Sequence, residues 1–384
     1  MNVSSSKPLS ISFVIPCLNE EKTLPFVLEK IVRTCNNELV DYPTEIVLSD
    51  NGSEDKSAEI AKAYGARIVY CPVKGYGAAL KNGIKSADNE IIVFADADDT
   101  YDFSETPKLI KEIEKGCDFV IGSRMKGNIH KGAMPFLHHY LGTPILNLLI
   151  NNLYSRDNYK ISDCNSGFRC FRKEVFTGWN IQGDGMEFAS EMLVKSLKNN
   201  AKISEVPISL YPDHPGRKPH LKTWRDGMRH LLRVFVEAPS FFNKTGISIF
   251  TINIILLLLS IFSPEYIDFL GMSVFGIHTM MFAMLGSLAG QVIWGIGLFI
   301  SVKEEVTKGF YSKVINLSED TVFWLIFYLF LFSLVSFGGI FFFWASKGFV
   351  NLTLQKETLF VITIASNGML TLANVFTAHL LKRR

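Results

Sequence analysis

Four long apolar stretches in the C-terminal third of the chain constrain its fold more than any other feature. They lie near residues 246–262, 275–302, 322–346 and 359–381. A helix of roughly 17–25 apolar residues crosses the hydrocarbon core of a bilayer, so each stretch is long enough to span a membrane. Residues 246–384 also hold only 15 of the 76 Asp, Glu, Lys and Arg residues of the 384-residue chain. We therefore expect a transmembrane domain of four helices at 246–384, preceded by a polar domain.

Positive charges around these stretches predict their orientation. Lys and Arg residues lie before the first stretch, after the second and at the C-terminus: Arg225, Arg229, Arg233, Lys244, Lys303, Lys308, Lys313 and residues 382–384. The segment SPEYIDFLG, after the first stretch, contains neither Lys nor Arg. Because cytoplasmic loops carry the excess of Lys and Arg, we expect a multi-pass protein of the cytoplasmic (inner) membrane. The polar domain and both termini would lie on its cytoplasmic side.

A GxxxG pattern, Gly286 and Gly290, falls within the second stretch. Small residues at this spacing let two helix backbones approach closely in a bilayer. The pattern predicts close packing of membrane helices, and a homo-oligomer formed through these helices is compatible with it.

The polar domain alternates short apolar runs with segments of helical periodicity. Five runs are typical of strands: ISFVIP, EIVLSD, ARIVY, EIIVFAD and DFVIG. Helical periodicity separates most of them, near residues 20–34, 56–64, 77–87 and 104–115. This order predicts an α/β fold, with a mainly parallel sheet covered by helices.

Composition and cysteine spacing give no support to several classes of function. A net charge of +2 gives no support for a nucleic-acid partner. The six cysteines form no CxxC pair, which argues against a zinc ribbon and a thioredoxin-like site. The N-terminal MNVSSSKPLS lacks the apolar core of a signal peptide. We expect buried free thiols in a reducing compartment, and a polar domain that stays in the cytoplasm.

Three polar clusters follow the predicted strands directly: PCLNEE at 16–21, SDNGSED at 49–55 and ADADD at 95–99. Ligands bind beyond the carboxyl ends of strands in such sheets, so the clusters predict one shared site. Asp96 and Asp98 offer carboxylate oxygens that suit Mg²⁺ or Mn²⁺ on a phosphate. A capped turn with solvated carboxylates is the alternative for an isolated DxD. Asp50 and Asn51 can bond a ribose or a base, and helix capping in the same cluster is the competing interpretation.

The glycine-rich KGYGAALKNG at 74–83 resembles a phosphate-binding loop only superficially. It has no GxxxxGK[ST], and it lacks the third glycine of a GxGxxG fingerprint. We interpret it as a glycine-permitted turn into a helix, from which Lys74 can reach a donor phosphate.

Seven motifs follow one another as they do in glycosyltransferase family 2: FVIPCLNEEKTL, SDNGSEDKS, KGYGAALKNGI, FADADDTYDF, VIGSR, SDCNSGFRCFRKE and GMEFASEM. Over about residues 10–235 the chain resembles the polyprenyl-phosphate glycosyltransferases of that family. These are the dolichol-phosphate mannose and glucose synthases and their bacterial undecaprenyl-phosphate relatives. The C-terminal bundle of membrane helices is also similar to that of the bacterial members.

The resemblance implies a GT-A fold for residues 1–220 and transfer of a sugar from a nucleotide-diphosphate sugar to a polyprenyl phosphate. Uridine is favoured as the nucleoside of the donor, and the sequence does not identify the sugar. The residues expected in the nucleotide-sugar pocket are Pro16, Asn19, Glu20, Asp50, Asn51, Lys74, Asp96 and Glu187. Asp96 and Asp98 would hold the Mg²⁺ or Mn²⁺, whereas Asp99 and Asp102 would serve in capping or supporting contacts.

The acceptor side calls for positive charge. A polyprenyl phosphate is an anion at pH 7 and needs no strong general base, and arginine binds phosphate through its bidentate fork. The candidates are Arg124 in GSR, Arg169 in SGFRCF and Arg217 in HPGRKPH. With Asp98, Arg124 and Arg169 would form the catalytic set. Glu187 and Glu191 lie four residues apart and therefore on one face of a helix. We expect either that one of them bonds sugar hydroxyls or that both face solvent.

Residues 221–245 are predicted to link the two domains. LKTWRDGMRHLLRVFVEAPSFF at 221–242 is amphipathic, with an arginine at every fourth position from 225 to 233. Such a helix can lie on a membrane surface with its cations near lipid phosphates. An ordinary charged face in solvent is the alternative.

Three other functions stay open at this point. A processive polysaccharide synthase would carry a QxxRW-type motif and further membrane helices, and the nearest tryptophan context here is LKTWRD. A non-catalytic lipid-carrier or flippase partner would have no need of donor, metal and arginine motifs. A membrane-anchored family 2 transferase that acts on protein or lipopolysaccharide differs only in its acceptor, which short motifs encode poorly.

Overall fold

The structure is a computed structural model that describes residues 9–155, 159–215, 223–262, 268–269, 272–273, 275–306, 309–349 and 354–383. The chain divides into two compact units, Met1–Glu237 and Ala238–Arg384. We name them the sheet unit and the helical unit. The boundary between them falls inside the predicted linker 221–245.

A seven-stranded sheet forms the centre of the sheet unit. In chain order its strands are β1 Ile11–Cys17, β2 Thr44–Asp50, β3 Arg67–Tyr70, β4 Ile91–Phe94, β5 Phe119–Ile129, β6 Arg169–Arg172 and β7 Ile203–Leu210. Their spatial order is β3-β2-β1-β4-β6-β5-β7. Strand β6 runs antiparallel to β4 and β5, and the other neighbouring pairs are parallel. The predicted mainly parallel α/β sheet is confirmed.

Eight α-helices in the described part of this unit surround the sheet. They are α1 Leu24–Asn37, α2 Ser57–Ala63, α3 Tyr76–Ser86, α4 Thr106–Glu114, α5 Thr143–Tyr154, α6 Lys173–Gly178, α7 Phe188–Lys198 and α8 Thr223–Val236. A short 3₁₀ turn, Phe103–Glu105, precedes α4, and a π-helical turn, His138–Gly142, precedes α5. The first four helices coincide with the four segments of predicted helical periodicity.

Strand β1 shows how the core fixes the ends of the strands. All seven of its residues are buried, as expected for a parallel strand covered on both faces. Phe13 belongs to the core beneath α1, whereas Val14 belongs to the core beneath α3. Cys17 pairs with Asp50 at the end of β2, and Val14 pairs with Phe94 at the end of β4. The parallel register therefore brings the carboxyl ends of these strands to one edge of the sheet.

The helical unit consists of α9 Pro239–Phe262, α10 Ile277–Lys303, α11 Phe310–Ile315, α12 Glu319–Ser346 and α13 Gln355–Lys382, with a short hairpin, β8 Asp268–Phe269 and β9 Met272–Ser273. Within the described ranges, α9, α10, α12 and α13 are long and apolar enough to cross a membrane. The four predicted spans are thus four continuous helices.

Glycines bring α9 and α10 together. A Cβ added to Gly290 would lie 2.6 Å from the backbone nitrogen of Phe250 and 2.8 Å from the carbonyl oxygen of Gly246. One added to Gly286 would lie 2.2 Å from the side chain of Asn253. The close packing predicted from the GxxxG pattern is confirmed within this unit.

Candidate active site

Hydrogen bonds hold the first two polar clusters together at the edge of the sheet. Asn19 has a left-handed φ of +56°, and its Oδ1 accepts from the amide of Glu54 at 2.8 Å. The Ser53 hydroxyl accepts from the Asn19 amide at 3.0 Å. The Ser57 hydroxyl accepts likewise from the amide of Glu20 at 3.0 Å. These contacts fix the loop after β1 against the loop after β2.

Glu20 and Thr23 connect the first cluster to the third. The Thr23 hydroxyl lies 3.0 Å from Glu20 Oε2 and 2.8 Å from the carbonyl oxygen of Ala97, which stands between Asp96 and Asp98. Glu20 is 7% exposed. Pro16 is buried and pairs with Ser49 in the neighbouring strand. The structure thus brings the three strand-end clusters together, as the sequence predicts.

Asn51 is engaged by the chain itself. Its Nδ2 donates to the carbonyl of Val73 at 2.7 Å, and its Oδ1 accepts from the amide of Gly75 at 2.8 Å. Lys74 Nζ donates to the carbonyl of Asn51 at 2.9 Å. Next to it, Asp50 accepts from the amide of Ser53 at 2.9 Å. Asn51 therefore shapes the pocket by fastening residues 73–75 to the end of β2.

The first turn of α3 lies against a loop from far along the chain. Gly75 has a φ of +142°, and a Cβ there would lie 2.1 Å from the carbonyl oxygen of Asp184. A Cβ on Gly77 would lie 2.5 Å from the carbonyl oxygen of Gly183. The Ala78 amide donates to the Asp184 carbonyl at 3.0 Å. KGYG is thus a turn into a helix, as predicted, and its glycines admit the GDGM loop.

The aspartates of the third cluster have different partners. Asp98 Oδ1 accepts from the amide and the hydroxyl of Thr100, at 3.1 and 2.6 Å. Asp99 has a φ of +63° and pairs with Lys30 at 2.8 Å and with His214 at 3.0 Å. Asp102 caps the 3₁₀ turn by accepting from the amide of Ser104 at 3.0 Å. Asp102 therefore caps a turn, as expected, and two basic side chains hold Asp99.

Two tyrosines and a glycine, which the sequence analysis did not single out, surround Asp96. A Cβ on Gly167 would lie 2.9 Å from Asp96 Oδ2, and the hydroxyl of Tyr101 accepts from the Gly167 amide at 2.8 Å. Burial, followed by the carboxylate of Asp96, holds the pKa of Tyr76 well above its ordinary value. Burial raises the pKa of Tyr101 to about 12. Both hydroxyls are protonated at neutral pH and can donate hydrogen bonds. The tyrosines in the KGYG and DDTYDF motifs could have indicated this contact from the sequence.

Asp96 and Asp98 fit a divalent cation that is shared with a phosphate. In the part of the chain that the structure describes, no three His, Cys, Asp or Glu residues converge into a complete metal cage. Mg²⁺ in phosphate sites uses one or two protein carboxylates, with substrate oxygens and waters as the remaining ligands. Two carboxylates at a strand end, with hard oxygen donors, match that requirement. These two residues would hold Mg²⁺ or Mn²⁺ when a diphosphate is bound.

Arg124 meets an acidic partner from another part of the chain. Its Nε and Nη2 donate to the two carboxylate oxygens of Asp163 at 2.8 and 2.7 Å. Burial opposes the charge, but the Asp163 carboxylate raises the pKa of Arg124 above its ordinary value. About an eighth of the Arg124 side chain remains exposed, against none of Asp163. Arg124 is therefore a permanently charged group with a fixed orientation.

Arg169 does not fit the predicted role at the acceptor. It is completely buried, and its guanidinium donates to the carbonyls of Ser166, Ala189 and Cys164 at 2.9, 2.7 and 2.9 Å. With no exposed surface, it cannot meet a ligand in this conformation. Its observed contacts are structural, since they tie the SGF segment to α7. Arg217, the third candidate, lies outside the described residues.

The two glutamates of GDGMEFASEM differ in environment. Glu191 is fully buried and accepts from the amides of Gln182 and Gly183 at 2.8 and 2.7 Å. Although burial opposes its charge, these amides and nearby cations hold the pKa of Glu191 below its ordinary value. Glu187 accepts from the Gly185 amide at 3.0 Å. Its Oε2 is buried and has no hydrogen-bond partner among the described residues. The two are therefore not equivalent: backbone amides and cations hold Glu191, whereas Glu187 has one carboxylate oxygen without a hydrogen-bond partner among the described residues.

The three arginines of α8 do not share one exposed face, contrary to what their four-residue spacing predicts. Arg233 is held in ion pairs with Glu191 and Glu237 at 2.5 and 3.0 Å, so it does not face outward with the other two arginines. Arg225 and Arg229 are exposed. The exposed face of α8 also carries large apolar side chains, with Trp224 80% exposed. A helix that presents arginine and tryptophan outward remains compatible with a membrane surface.

Comparisons with known proteins identify the family to which this chain is similar. Residues 12–178 match the model of "Glycosyl transferase family 2". The low-salt glycan biosynthesis hexosyltransferase Agl6 of Haloferax volcanii is 33% identical over 302 residues, which cover 78% of this chain and 70% of that protein. A dolichyl-phosphate hexose transferase of the same organism is 30% identical over 205 residues, or 52% of this chain and 81% of that protein.

Part of the chain also aligns with a solved structure. Glucosyl-3-phosphoglycerate synthase from Mycobacterium tuberculosis, in complex with Mn²⁺, uridine diphosphate and phosphoglyceric acid, aligns with a TM-score of 0.49 and 22% identity. The alignment covers 60% of this chain and 78% of that one. The fold and the strand-end site define a GT-A-like glycosyltransferase with four apolar helices at its C-terminal side. The chain belongs to glycosyltransferase family 2.

Proposed function

We propose that the chain transfers a sugar from a nucleotide-diphosphate sugar to a polyprenyl phosphate and produces a lipid-linked monosaccharide phosphate. The observation that carries the proposal is the convergence of three strand-end clusters beside Asp96 and Asp98, in a chain with four helices that can cross a membrane. A relative named dolichyl-phosphate hexose transferase supports a lipid-phosphate acceptor. A uridine donor and an undecaprenyl acceptor are the finer parts of the proposal.

The donor would lie along the edge of the sheet. Asp50 and the loop fastened by Asn51 form the nucleotide side, and Lys74 stands at the start of α3. A Mg²⁺ or Mn²⁺ ion held by Asp96 and Asp98 would neutralise negative charge on the diphosphate. Glu187 is the proposed acceptor for a sugar hydroxyl; because its Oε2 has no exposed surface in this conformation, the side chain would turn toward the donor on binding. Each of these groups would bind or orient the donor.

The acceptor phosphate is its own nucleophile. One of its oxygens forms a bond to the anomeric carbon while the bond from that carbon to the diphosphate oxygen breaks, and the nucleoside diphosphate leaves. Since the phosphate is ionised at pH 7, the site needs a cation rather than a base. Arg124 is the described candidate, because Asp163 engages Nε and Nη2 and so fixes the direction of the remaining guanidinium edge. Direct displacement predicts inversion, and a product that retained the donor's linkage would contradict this step.

The test is a transfer assay with the full-length protein in detergent. Undecaprenyl or dolichyl phosphate, Mg²⁺ or Mn²⁺ and a panel of UDP- and GDP-sugars are combined, and lipid products are read by mass spectrometry. We expect one sugar to yield a lipid phosphate product that disappears with EDTA. Asp98→Ala should lower the rate at least about 100-fold, the size expected when stabilisation of developing charge is lost.

Asp102→Ala is the matched control, because the Asp102 side chain caps a 3₁₀ turn and is not among the proposed metal or donor ligands. It should keep most of the activity. If nucleotide binds but neither lipid phosphate is glycosylated from any donor, the acceptor assignment is wrong. A membrane-anchored family 2 transferase with another acceptor would then be favoured.

A further inference from the structure

We infer that the sheet unit docks on the surface of an anionic bilayer through two helices, α5 and α8. The amphipathic pattern at 221–242 predicts such a contact for α8 alone, and α5 is the new part of the inference. We name the exposed apolar surface of these helices, and of the helical turns before α5, the docking face. It consists of Phe136, Tyr140, Leu141, Ile145, Leu148, Trp224, Met228 and Leu232.

Helix α5 carries apolar side chains on its outer side as well as on its inner side. Leu146 and Ile150 are buried in the core of the sheet unit. Ile145 and Leu148 are exposed, and Leu148 is 60% exposed. With Leu141, which is also exposed, they follow the spacing of one side of a helix. Three large apolar side chains on one outer side form a patch of the kind that marks a protein or membrane contact.

Helix α8 extends this patch with a second apolar row. Trp224, Met228 and Leu232 are all exposed and lie four residues apart. The opposite side of α8 includes Val234, which is buried in the same core as the inner side of α5. The hydroxyl of Tyr154, at the end of α5, donates to the Val234 carbonyl. Because the two helices pack on one core and meet at their ends, their outer sides belong to one surface of the sheet unit.

The charges around the docking face match an anionic bilayer. Residues 131–155 contain no Asp or Glu, and the single acidic residue of α8, Asp226, is buried. The exposed charged side chains of the two segments are therefore Lys131, Arg225 and Arg229. Cations that flank exposed apolar side chains bind anionic headgroups while the apolar groups enter the boundary with the acyl chains.

The aromatic residues and the chain connection favour a bilayer over a second protein. Trp224 and Tyr140 are exposed, and tryptophan and tyrosine are enriched where a protein meets the membrane interface. Only Glu237 and Ala238 separate α8 from α9, a helix that can cross a membrane. A bilayer is therefore close in the chain to the docking face of every molecule, whereas a protein partner would have to be recruited.

Photocrosslinking of the full-length protein in nanodiscs tests the inference. The photoreactive amino acid p-benzoylphenylalanine replaces Leu148, Met228 or Val40, one position at a time. The nanodiscs contain phosphatidylglycerol and phosphatidylcholine, and lipid adducts are read by mass spectrometry after irradiation. We expect lipid adducts at positions 148 and 228, because docked apolar side chains enter the headgroup and acyl boundary by about 5–10 Å.

Val40 is the matched control. It is 69% exposed and follows Leu39, which belongs to the core on the other side of the sheet, beneath α1. Position 40 should give no lipid adduct, and a thermal unfolding scan shows whether each substituted protein is folded. The inference is overturned if position 148 reacts with lipid no more than position 40 does. It is also overturned if position 148 crosslinks to a second copy of the chain, since the face would then be an interface between copies.

A pair of charge variants tests the choice of an anionic bilayer. Lys131→Gln combined with Arg229→Gln removes one exposed cation from each segment and should lower the lipid adduct at position 148. Lys56→Gln combined with Lys62→Gln removes two exposed lysines at α2 and should not lower it. Equal yields in the two double variants would overturn the anionic specificity. None of these residues is a proposed donor, metal or acceptor ligand, so the outcome does not depend on the proposed function.

Discussion

Two arginines with the same predicted role have opposite environments. Arg124 keeps part of its side chain in solvent and shares a bidentate contact with Asp163, whereas Arg169 is surrounded by carbonyl oxygens and has no exposed surface. Burial also lowers the pKa of Arg169, so the interior tolerates the group only because three carbonyls accept its hydrogen bonds. Arg124 remains suited to binding an anion, and Arg169 organises the chain around the site.

Arg169→Met should destabilise the sheet unit. The fraction of the protein that remains folded should keep its normal catalytic activity. Three carbonyls would lose their donor, and a cost of about 3 kcal/mol or more in the free energy of unfolding is expected. Differential scanning fluorimetry of the detergent-solubilised protein measures the shift in midpoint. The KM for the lipid phosphate of the folded fraction should not change.

Arg172→Met is the comparison, because Arg172 is half-buried and donates to a single carbonyl, that of Ile113 at 2.9 Å. It should shift the midpoint less. A normal midpoint in Arg169→Met together with a large rise in acceptor KM would restore Arg169 as an acceptor ligand.

The strand-end aspartates could be predicted from the sequence because their position depends on local pattern. An apolar run followed by carboxylates marks the end of a buried strand, and parallel strands bring such ends to one edge. The environments of the arginines could not be predicted in this way. Asp163 is 39 residues from Arg124, and the carbonyl of Ala189 is 20 residues from Arg169. Burial of a charged side chain depends on such distant partners, which no single motif contains.

At the scale of elements, the contact between α7 and α8 is unusually polar for a buried surface. Glu191 and Glu237 are buried on it and pair with Arg233, Lys195 and Lys198. Charges removed from water in this way must be paired. The periodicity of residues 221–242 predicts an amphipathic helix, but a helical wheel cannot tell a charged face in solvent from one that meets opposite charges.

Helix α8 also makes the stability of the sheet unit depend on pH. His230 is 7% exposed, and the Ser190 hydroxyl lies 3.0 Å from its Nδ1. Burial lowers the pKa of His230 to about 4. The ionisable groups that act on it are Glu187, Arg169, Asp226 and His138. The folded protein therefore keeps this imidazole neutral at pH values at which the unfolded chain protonates it.

Stability should consequently fall as the pH drops from about 6.5, the ordinary pKa of histidine, toward 4. In that window the unfolded state binds the additional proton, and the loss in the free energy of unfolding at the lower end is about 3 kcal/mol. Unfolding midpoints at pH 7 and pH 5 measure it. His230→Gln should flatten the dependence, whereas His139→Gln, on the π-helical turn, should not. Equal slopes in both variants and the wild type would contradict this assignment.

The strands that the sequence analysis missed share a physical reason. Strand β6 has four residues, with arginine at both ends, and β7 contains Pro207 and alternating polar residues. Strand β7 lies at the edge of the sheet, where proline is tolerated because one side of the strand needs no ladder hydrogen bonds. A short or edge strand lacks the continuous apolar run that marks β1 and β4.

At the scale of the whole molecule, four spans and their charge distribution predict the topology. Both termini and the segment 303–313 should face the cytoplasm. A C-terminal green fluorescent protein fusion should fluoresce and a C-terminal alkaline phosphatase fusion should be inactive. Phosphatase inserted between residues 265 and 266 should be active. The opposite pattern of reporter activity would show that the predicted orientation is wrong. The sheet unit would then have no access to cytoplasmic nucleotide sugars.

Hydropathy identified the four spans but not the first residue of each helix. Helix α9 begins at Pro239, seven residues before the apolar stretch predicted at 246–262. Lys244 lies in that first part and is exposed, and a lysine near a helix end can extend its ammonium toward the interface. Hydropathy therefore marks the part of the helix that lies in hydrocarbon, whereas backbone hydrogen bonds continue beyond it.

The contact between the KGYG turn and the GDGM loop makes two distant parts of the chain dependent on each other. The carbonyl of Asp184 accepts from the first turn of α3, and Lys81 of α3 pairs with the Asp184 carboxylate at 2.7 Å. The first turn of α3 cannot open unless residues 183–185 move away. Amides that are exposed by the same opening share one opening free energy. The amides of Ala78 and Gly185 should therefore exchange as one cooperative unit, and a nucleotide bound at the first segment would slow exchange in the second.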